Sequence, residues 1–348
     1  MDSPKVTVLL PVYNGEKYLA EAIESILDQT FRDFEFIIIN DGSTDHSPAI
    51  LARYQQIDDR IRVYPQENRG LTASLNRGCQ LARGVYIARM DQDDVSFRKR
   101  LEKQFDYMED HPEIGVLGTW IECIDGNGAR LVEVHDPTMP SLINWTLIFR
   151  NCVAHASVMM RRQVIEKVGL YNPEAVHAED YDLWVRASRV TRIANLPEIL
   201  LTRREWEGNI CSRRLPVQEE STIKTMQSAI EWSLDSHVPL ETVTSVRKVA
   251  RGIPLSSLQQ IEQVNGLIQR LYRAYLKTSS LTPKEAKEVA QDAGMTLVIL
   301  AESAGRISLR KGLAIFVQAL RLRPQLLFSR QLTTKAASKA LRILLRRA

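Results

Sequence analysis

Four short polar clusters contain the side chains whose types and spacing could do chemistry. In chain order they are Pro11-Val12-Tyr13-Asn14, Asn40-Asp41-Gly42-Ser43-Thr44-Asp45, Asp91-Gln92-Asp93-Asp94 and Glu179-Asp180. The second and fourth, taken alone, are also typical of a capped turn and of an acidic helix start. The third is harder to explain structurally, because clustered carboxylates repel one another unless a cation or basic groups compensate them. Carboxylate oxygens suit Mg²⁺ or Mn²⁺, which bind one or two of them together with phosphate oxygens.

Short runs of β-branched and apolar residues precede the first three clusters and predict buried strands. The predicted strands are 6–12, 34–39, 61–64 and 85–90. Asn14 is predicted to cap a helix whose apolar face begins at Tyr18 and Leu19, and Gly84 to close a second helix over about 71–83. Alternating strands and helices predict a parallel sheet, whose ligands gather at the carboxyl ends of the strands. The polar clusters lie at those ends.

The remaining chain changes character near residue 214. Before that point the pattern predicts a helix containing Leu101 and Phe105, strands over 114–124 and 157–160, and a helix over about 180–190. From Leu215 onward nearly every residue fits a helix, with breaks at the four prolines 239, 254, 283 and 324. This shift predicts a catalytic domain over 1–213 and a helical region over 214–348.

The clusters become specific when they are taken together and in order. Val-Thr-Val-Leu-Leu-Pro-Val-Tyr-Asn is followed by Asn-Asp-Gly-Ser-Thr-Asp, Asn68-Arg69-Gly70, Ala-Arg-Met-Asp-Gln-Asp-Asp and Glu-Asp-Tyr-Asp-Leu-Trp. Over roughly residues 5–212 this closely resembles the inverting glycosyltransferases of family 2. The resemblance implies an α/β GT-A fold, with a Rossmann-like, mostly parallel sheet flanked by helices. The C-terminal helical extension lies outside it.

The resemblance also implies a role for each cluster. Pro11, Tyr13 and Asp41 would line the nucleobase pocket, Arg69 would lie along the nucleotide, and Asp91 would face the ribose. Asp93 would bind the divalent ion, Mn²⁺ or Mg²⁺, with support from Asp94. Asp180 would be the general base for the acceptor hydroxyl, with Glu179 beside it, and the first helical turn is expected to keep Asp180 ionised.

These roles imply a metal-dependent, inverting transfer of one sugar from a nucleoside-diphosphate sugar, expected to be a UDP-sugar. The acceptor would be a saccharide or a lipid-linked saccharide in cell-surface polysaccharide or glycolipid synthesis. The Gln-x-x-Arg-Trp signature and the membrane spans of processive relatives are not found in the sequence, which favours single transfers. A sugar nucleotidyltransferase and a non-catalytic sugar-nucleotide-binding protein remain alternatives.

The roles of two residues, Trp206 and His155, have two interpretations each. Many relatives have Arg-x-His after the last strand, whereas this chain has Arg204-Glu205-Trp206. An indole N–H only donates and cannot ligate a metal, so Trp206 is predicted either to pack in the core or to stack on an acceptor sugar. His155 is interpreted either as a substrate contact or as a structural histidine.

The charge distribution separates the C-terminal end from the rest. The net charge is +4, but residues 301–348 contain eight Arg and three Lys against Glu302, which leaves −6 for the rest. Lys335, Lys339, Arg342 and Arg346 recur at helical spacing, so this basic tail is predicted to bind an anionic membrane surface. The alternative is packing on the protein itself, and nucleic acid is not an expected partner. Four dispersed cysteines favour a cytoplasmic protein. Together with the basic tail, this predicts a peripheral position at the inner face of the cell membrane.

Overall fold

A computed structural model describes residues 3–206 and 215–328 of the chain. Within them the chain forms two compact units. The first comprises residues up to 144 together with 151–222, and the second comprises residues 145–150 together with those from 223 onward.

The first unit is built on one mixed nine-stranded sheet. Its strands are β1 (Val6–Val12), β2 (Phe34–Asp41), β3 (Ile61–Gln66), β4 (Tyr86–Arg89), β5 (Val95–Ser96), β6 (Ile114–Asp125), β7 (Arg130–Val134), β8 (Met159–Arg161) and β9 (Arg192–Glu205). Their order is β3-β2-β1-β4-β8-β6-β9-β5, with β7 paired to β6. The first four strands are parallel. Antiparallel β8 joins them to the parallel pair β6 and β9. The expected α/β fold with a predominantly parallel sheet is confirmed.

Helices cover this sheet because each has one apolar face. They are α1 (Leu19–Leu27), α2 (Ser47–Ile57), α3 (Leu71–Leu81), α4 (Arg100–Asp110), α5 (Pro140–Thr146), α6 (Arg162–Val168) and α7 (Glu179–Ala187). In α1 the residues at 19, 22, 23 and 26 are buried, as the helical period predicts. Every residue of β1 and β2 is also buried. These strands and the apolar face of α1 form the core of the unit.

Two helix-end predictions were wrong. Asn14 does not cap α1: its φ is 49°, and its Oδ1 accepts from the Thr44 N–H at 2.8 Å, so it joins the loops after β1 and β2. Gly84 does not close α3, which ends at Leu81. A Cβ at Gly84 would lie 2.5 Å from the backbone nitrogen of Thr7. This glycine is therefore required by the close passage of β1.

The second unit is helical, with breaks at the predicted prolines. Its helices are α8 (Leu215–Leu234), whose first turns belong to the first unit, α9 (Leu240–Ala250), α10 (Leu258–Thr278), α11 (Pro283–Ile307) and α12 (Leu309–Leu322), followed by a 3₁₀ turn over Pro324–Phe328. The segment 145–150 belongs here because Trp145 is fully buried and its Nε1 donates to Asp292 Oδ2 at 2.8 Å.

Helix α12 mixes apolar side chains with Arg310, Lys311 and Arg321, a composition typical of a helix that lies in a membrane interface. In the structure, however, Ile315, Phe316 and Ala319 are buried within the helical unit. Gly312 allows α12 to approach α11 closely, since a Cβ there would lie 2.7 Å from the Cα of Gly305.

The predicted basic stripe at 335, 339, 342 and 346 lies outside the described residues. None of the helices within 3–206 and 215–328 has both the length and the apolar composition that a membrane span requires.

Candidate active site

The first wall of the site is the end of β1. Backbone carbonyls of odd-numbered residues in β1 face β4, since Lys5 and Leu9 accept from Tyr86 and Met90. The backbone of Pro11 also faces this side, but the pairing of β1 with β4 ends at Leu9. The sheet therefore loses no hydrogen bond through the N–H that proline lacks. Beyond it the Gln92 side chain takes the place of a strand. Gln92 Oε1 accepts from the Tyr13 N–H at 2.8 Å, and Nε2 donates to the Tyr13 carbonyl at 3.1 Å. The Tyr13 ring remains 48% exposed.

The second wall is the turn after β3, which Asp41 holds from the end of β2. Its Oδ1 accepts from the N–H of Arg69 at 2.9 Å and from Gln66 Nε2 at 2.6 Å. Its Oδ2 accepts from the N–H of Gly70 at 2.8 Å. Asp41 is buried, whereas the Arg69 side chain is exposed beside it. The structure therefore brings Asp41 and Arg69 together.

The acidic segment after β4 is tied to the neighbouring strands. Asp91 forms an ion pair with the buried Arg89. Asp94 is buried, and its Oδ1 accepts from the Arg204 N–H of β9 at 2.9 Å, while its Oδ2 has no hydrogen-bond partner. Burial, and then the charges of Asp91 and Asp93, raise the pKa of Asp94 well above its ordinary range.

Asp93 lies half-buried at the front of this segment. Its Oδ2 accepts from the indole Nε1 of Trp206 at 2.8 Å, and its carbonyl accepts from Arg204 Nε at 3.1 Å. Burial and the charge of Asp91 raise the pKa of Asp93 to about 6, against the opposing effect of the Trp206 hydrogen bond. Trp206 is therefore not a plain core residue, because its indole donates to the carboxylate that the resemblance assigns to the metal. Its stacking on an acceptor sugar stays a prediction.

The acidic segment fits a divalent cation. The buried Asp94 Oδ2 has no hydrogen-bond partner, and Asp91, Asp93 and Asp94 bring three carboxylates together beside the buried Arg89. Their charges add to burial in raising the pKa of Asp93 and Asp94. Among the residues that the structure describes, no three His, Cys, Asp or Glu side chains form a metal cage. Mg²⁺ and Mn²⁺ do not need one, because they bind one or two carboxylates and take further ligands from phosphates.

The second pair of carboxylates opens α7. Asp180 Oδ1 accepts from the Tyr181 N–H at 2.6 Å, and Oδ2 accepts from Asn151 Nδ2 at 2.8 Å. Burial outweighs these bonds and raises the pKa of Asp180, although the backbone N–H groups of the helix start act in the expected direction and lower it. Burial and the charge of Asp180 raise the pKa of the buried Glu179 to about 7. Two acidic side chains thus share one site and titrate together.

His155 is part of the framework behind the site. Its Nε2 lies 2.8 Å from the Tyr171 hydroxyl, and its ring lies edge-on to Trp184 at 5.9 Å. Burial lowers the pKa of His155 well below its ordinary value, so the ring is neutral. These contacts favour the structural interpretation.

Arg89 connects the two acidic groups electrostatically. Its charge lowers the pKa of Asp93 and Asp94 on one side and of Glu179 and Asp180 on the other. Arg89, Gln92 and Asn151 were not among the predicted site residues. Arg89 had a usable signal, because a cation inside an apolar run that leads into three carboxylates suggests a buried counterion.

The comparisons with known proteins agree with this geometry. The family model described as glycosyl transferase family 2 matches residues 7–169. The O-antigen biosynthesis glycosyltransferase WbnJ of Escherichia coli is 38% identical over 203 residues, which is 57% of this chain and 79% of that protein. The chain belongs to glycosyl transferase family 2. This membership favours a glycosyltransferase over the nucleotidyltransferase and the non-catalytic alternative.

Other relatives of this glycosyltransferase extend the pattern. The putative glycosyltransferase EpsE of Bacillus subtilis is 37% identical over 208 residues, 58% of this chain and 73% of that protein. An uncharacterised glycosyltransferase of Methanocaldococcus jannaschii is 40% identical over 190 residues, 53% of this chain and 65% of its own length. The chain thus spans just under two thirds of the Methanocaldococcus protein.

Solved structures confirm the fold of this glycosyltransferase. Residues 1–349 of Staphylococcus aureus TarS, in complex with UDP-GlcNAc, superpose with a TM-score of 0.56 at 19% identity. The match covers 92% of this chain and 91% of that one. The mannosyltransferase PcManGT of Pyrobaculum calidifontis, in complex with GDP-Man and Mn²⁺, gives a TM-score of 0.51 at 16% identity, over 92% and 86% of the two chains.

The raised pKa of Glu179 in this glycosyltransferase leads to a stability prediction. Its pKa rises from 4.5 to about 7 on folding, so the folded state holds an extra proton between these pH values. The stabilisation is present below the lower pKa and is lost as the pH rises through the upper one. Glu179→Gln has no such loss. Its melting temperature relative to wild type should therefore increase between pH 5 and pH 8, measured calorimetrically without ligands.

The exposed Glu174 offers a matched control. Glu174→Gln should show the same difference from wild type at every pH. A Glu179→Gln difference that does not change with pH would contradict a buried, protonated Glu179.

Proposed function

We propose that this protein transfers one sugar from a UDP-sugar to a hydroxyl of a saccharide or lipid-linked acceptor, with a divalent metal and with inversion. The observation that carries the proposal is the pairing of two acidic groups through Arg89. One group, at the end of β4, suits a metal and a diphosphate, and the other, at the start of α7, suits a hydroxyl that loses a proton. The UDP-GlcNAc complex of TarS and the O-antigen role in the name of WbnJ support the donor and the product class.

On the donor side, Pro11 and the exposed Tyr13 ring would contact the base. Asp41 has acceptor capacity left on Oδ2 for an imide N–H. The guanidinium of Arg69 is free in solvent next to it and would lie along the nucleotide. Asp91, held by Arg89, would accept from the ribose hydroxyls.

The diphosphate leaves with negative charge, and Asp93 would hold the metal that neutralises this charge. Asp94 would support this metal site by fixing β9 beside the acidic segment. Its buried carboxylate binds the Arg204 backbone, which keeps β9 and the acidic segment in register.

On the acceptor side, Asp180 would accept the hydroxyl proton while the oxygen attacks the anomeric carbon. Asn151 and the Tyr181 N–H orient its two oxygens. The raised pKa of Asp180 makes the ionised carboxylate a stronger base than an exposed aspartate. A base on the face opposite the leaving diphosphate gives a single displacement, which inverts the anomeric centre.

A donor screen by thermal shift tests the proposal directly. UDP-, GDP- and dTDP-sugars would each be added with Mn²⁺, since a ligand at 100 times its dissociation constant stabilises the folded state by about 2.7 kcal/mol. A shift with UDP-sugars alone is the expected result. A shift with no nucleotide sugar would contradict the proposal.

We also propose that the basic tail attaches the enzyme to an anionic membrane. Residues 329–348 contain six Arg and Lys and no acid, and each basic group near such a surface contributes about 1 kcal/mol. Deleting residues 329–348 should release the protein from phosphatidylglycerol vesicles in a flotation assay, and high salt should do the same.

Two cations of α12 offer the control for this deletion. Replacing Arg310 and Arg321 with Gln alters cations of the folded helical unit and should leave flotation unchanged. Equal flotation of the full-length and the truncated protein would exclude the tail as the anchor.

A further inference from the structure

Trp206 lies directly against the carboxylate that the proposed function assigns to the metal. Its indole Nε1 donates to Asp93 Oδ2 at 2.8 Å, across 113 residues of sequence. Arg204, two residues earlier, fixes the approach. Its N–H donates to Asp94 Oδ1 at 2.9 Å and its Nε to the Asp93 carbonyl at 3.1 Å. The end of β9 is therefore held against the acidic segment at both carboxylates.

Neighbouring rings and cations hold the indole in this orientation. Trp206 lies edge-on to Tyr18, with ring centroids 5.4 Å apart. The ammonium of Lys17 lies 4.8 Å from the Tyr18 ring and 5.6 Å from the Trp206 ring. Tyr18 is itself fixed, because its hydroxyl donates to the Gly126 carbonyl at 2.9 Å. The indole N–H is thus aimed at Asp93 by a packed cluster.

This contact decides how Asp93 can meet a cation. An indole nitrogen carries a hydrogen and has no lone pair to offer a metal, so Trp206 cannot act as the histidine of the Arg-x-His pattern would. The Trp206 N–H uses one lone pair of Oδ2, so Oδ1 is the more open oxygen of Asp93. Groups that orient a ligand by hydrogen bonding typically change metal affinity by about 10- to 100-fold.

We propose that Trp206 is a positioning residue that holds Asp93 for single-oxygen contact with a divalent cation, so that the cation binds tightly only together with a nucleoside diphosphate. The inference rests on the proposed function, because it takes Asp93 as the metal ligand. It concerns Trp206, which stands where the Arg-x-His pattern has its histidine.

Calorimetric titration of Mn²⁺, with and without saturating UDP, tests the proposal on two variants. Trp206→Phe removes the donor and keeps a ring against Tyr18. We expect its Mn²⁺ affinity in the presence of UDP to fall about tenfold, while UDP affinity without metal stays unchanged. Trp206→His adds a nitrogen that can ligate, so its affinity for Mn²⁺ alone should rise about tenfold. Trp232→Phe removes an exposed indole of the helical unit and serves as the control.

Fluorescence supplies a second readout, which reports whether the metal binds beside Trp206. Mn²⁺ is paramagnetic and should quench Trp206 when it binds with UDP, whereas Mg²⁺ should not. The quenching should vanish in Trp206→Phe and persist in Trp232→Phe, which removes an exposed tryptophan of the helical unit.

The outcomes separate the inference from the function on which it rests. If Mn²⁺ has no effect on UDP binding by the wild-type protein, the proposed metal-dependent function fails. If the wild type shows that effect and Trp206→Phe keeps its Mn²⁺ affinity within about twofold, only the role of Trp206 fails.

Discussion

The Asp180→Asn variant is expected to transfer sugar about 100-fold more slowly than the wild type, or more slowly still, since a positioned base contributes at least that much. The substitution keeps the size of the side chain and an acceptor for the Tyr181 N–H, which lies 2.6 Å from Oδ1. It removes the basic oxygen that Asn151 orients at 2.8 Å. The turnover number should fall, whereas donor affinity measured by calorimetry should be nearly unchanged, because Asp180 would touch only the acceptor.

Asp182 supplies the matched control in the same helical turn. Its carboxylate accepts from Arg186 Nε at 2.8 Å and pairs with the same guanidinium at 2.7 Å, so it is poorly placed to take a proton. Asp182→Asn should retain transfer as long as it folds. An Asp180→Asn enzyme within about threefold of the wild-type rate would move the base to Glu179 or Asp182.

The pH profile of the wild-type enzyme gives a second check on the base. A base must be ionised, so the rate should fall as the pH falls through the titration of the Glu179–Asp180 pair. The pKa of Glu179 is raised to about 7 and that of Asp180 is raised too. The acidic limb should therefore lie well above the pH at which exposed carboxylates titrate, and Glu179→Gln should shift it to lower pH because one negative neighbour is gone.

Local pattern predicted the parallel half of the fold well, because its elements carry their own sequence periods. The strands β1 and β2 are buried apolar runs, and the apolar face of α1 recurs at the helical period. The strand ends then bring Asp41 and the acidic segment to one edge. These features need no knowledge of distant residues.

The other half depends on pairings between distant segments, which no local period encodes. β8 lies between β4 and β6 although it follows both in sequence. The amide of Gln92 takes the place of a strand beside Tyr13, and Asn14 leaves the helix start to bind the loop after β2. Each contact satisfies a backbone group that tertiary structure, and not local sequence, leaves open.

The candidate site divides in the same way. Its carboxylates could be predicted because they form clusters in the sequence. Their raised pKa values could not, because burial is the largest cause. The helix start at Asp180 favours the ionised carboxylate as expected, but burial, which local sequence does not reveal, has the larger effect and raises its pKa. Trp206 was open between packing and stacking because its partner, Asp93, is 113 residues away.

The Asp93→Asn variant should lose the metal-dependent part of UDP binding and keep its fold. Asp93 is the half-buried carboxylate at the front of the acidic segment, and its pKa of about 6 reflects burial beside Asp91. Because this pKa lies above the ordinary 3.8, the group stabilises the fold at low pH, and that contribution is lost as the pH rises through about 6. At pH 8 the amide therefore removes an unfavourable buried charge, and the variant should melt no lower than the wild type.

Calorimetry of UDP binding with and without Mn²⁺, beside a melting curve at pH 8, measures both effects in one sample. We expect Mn²⁺ to tighten UDP binding to the wild type and to Asp106→Asn, an exposed aspartate of α4 that serves as the control. In Asp93→Asn that gain should disappear, a loss of at least about tenfold in affinity. If the Asn variant still gained affinity from Mn²⁺ while remaining folded, the metal would be held elsewhere. A lower melting temperature at pH 8 would instead mean that the Asp93 charge stabilises the fold, against the direction of its pKa shift.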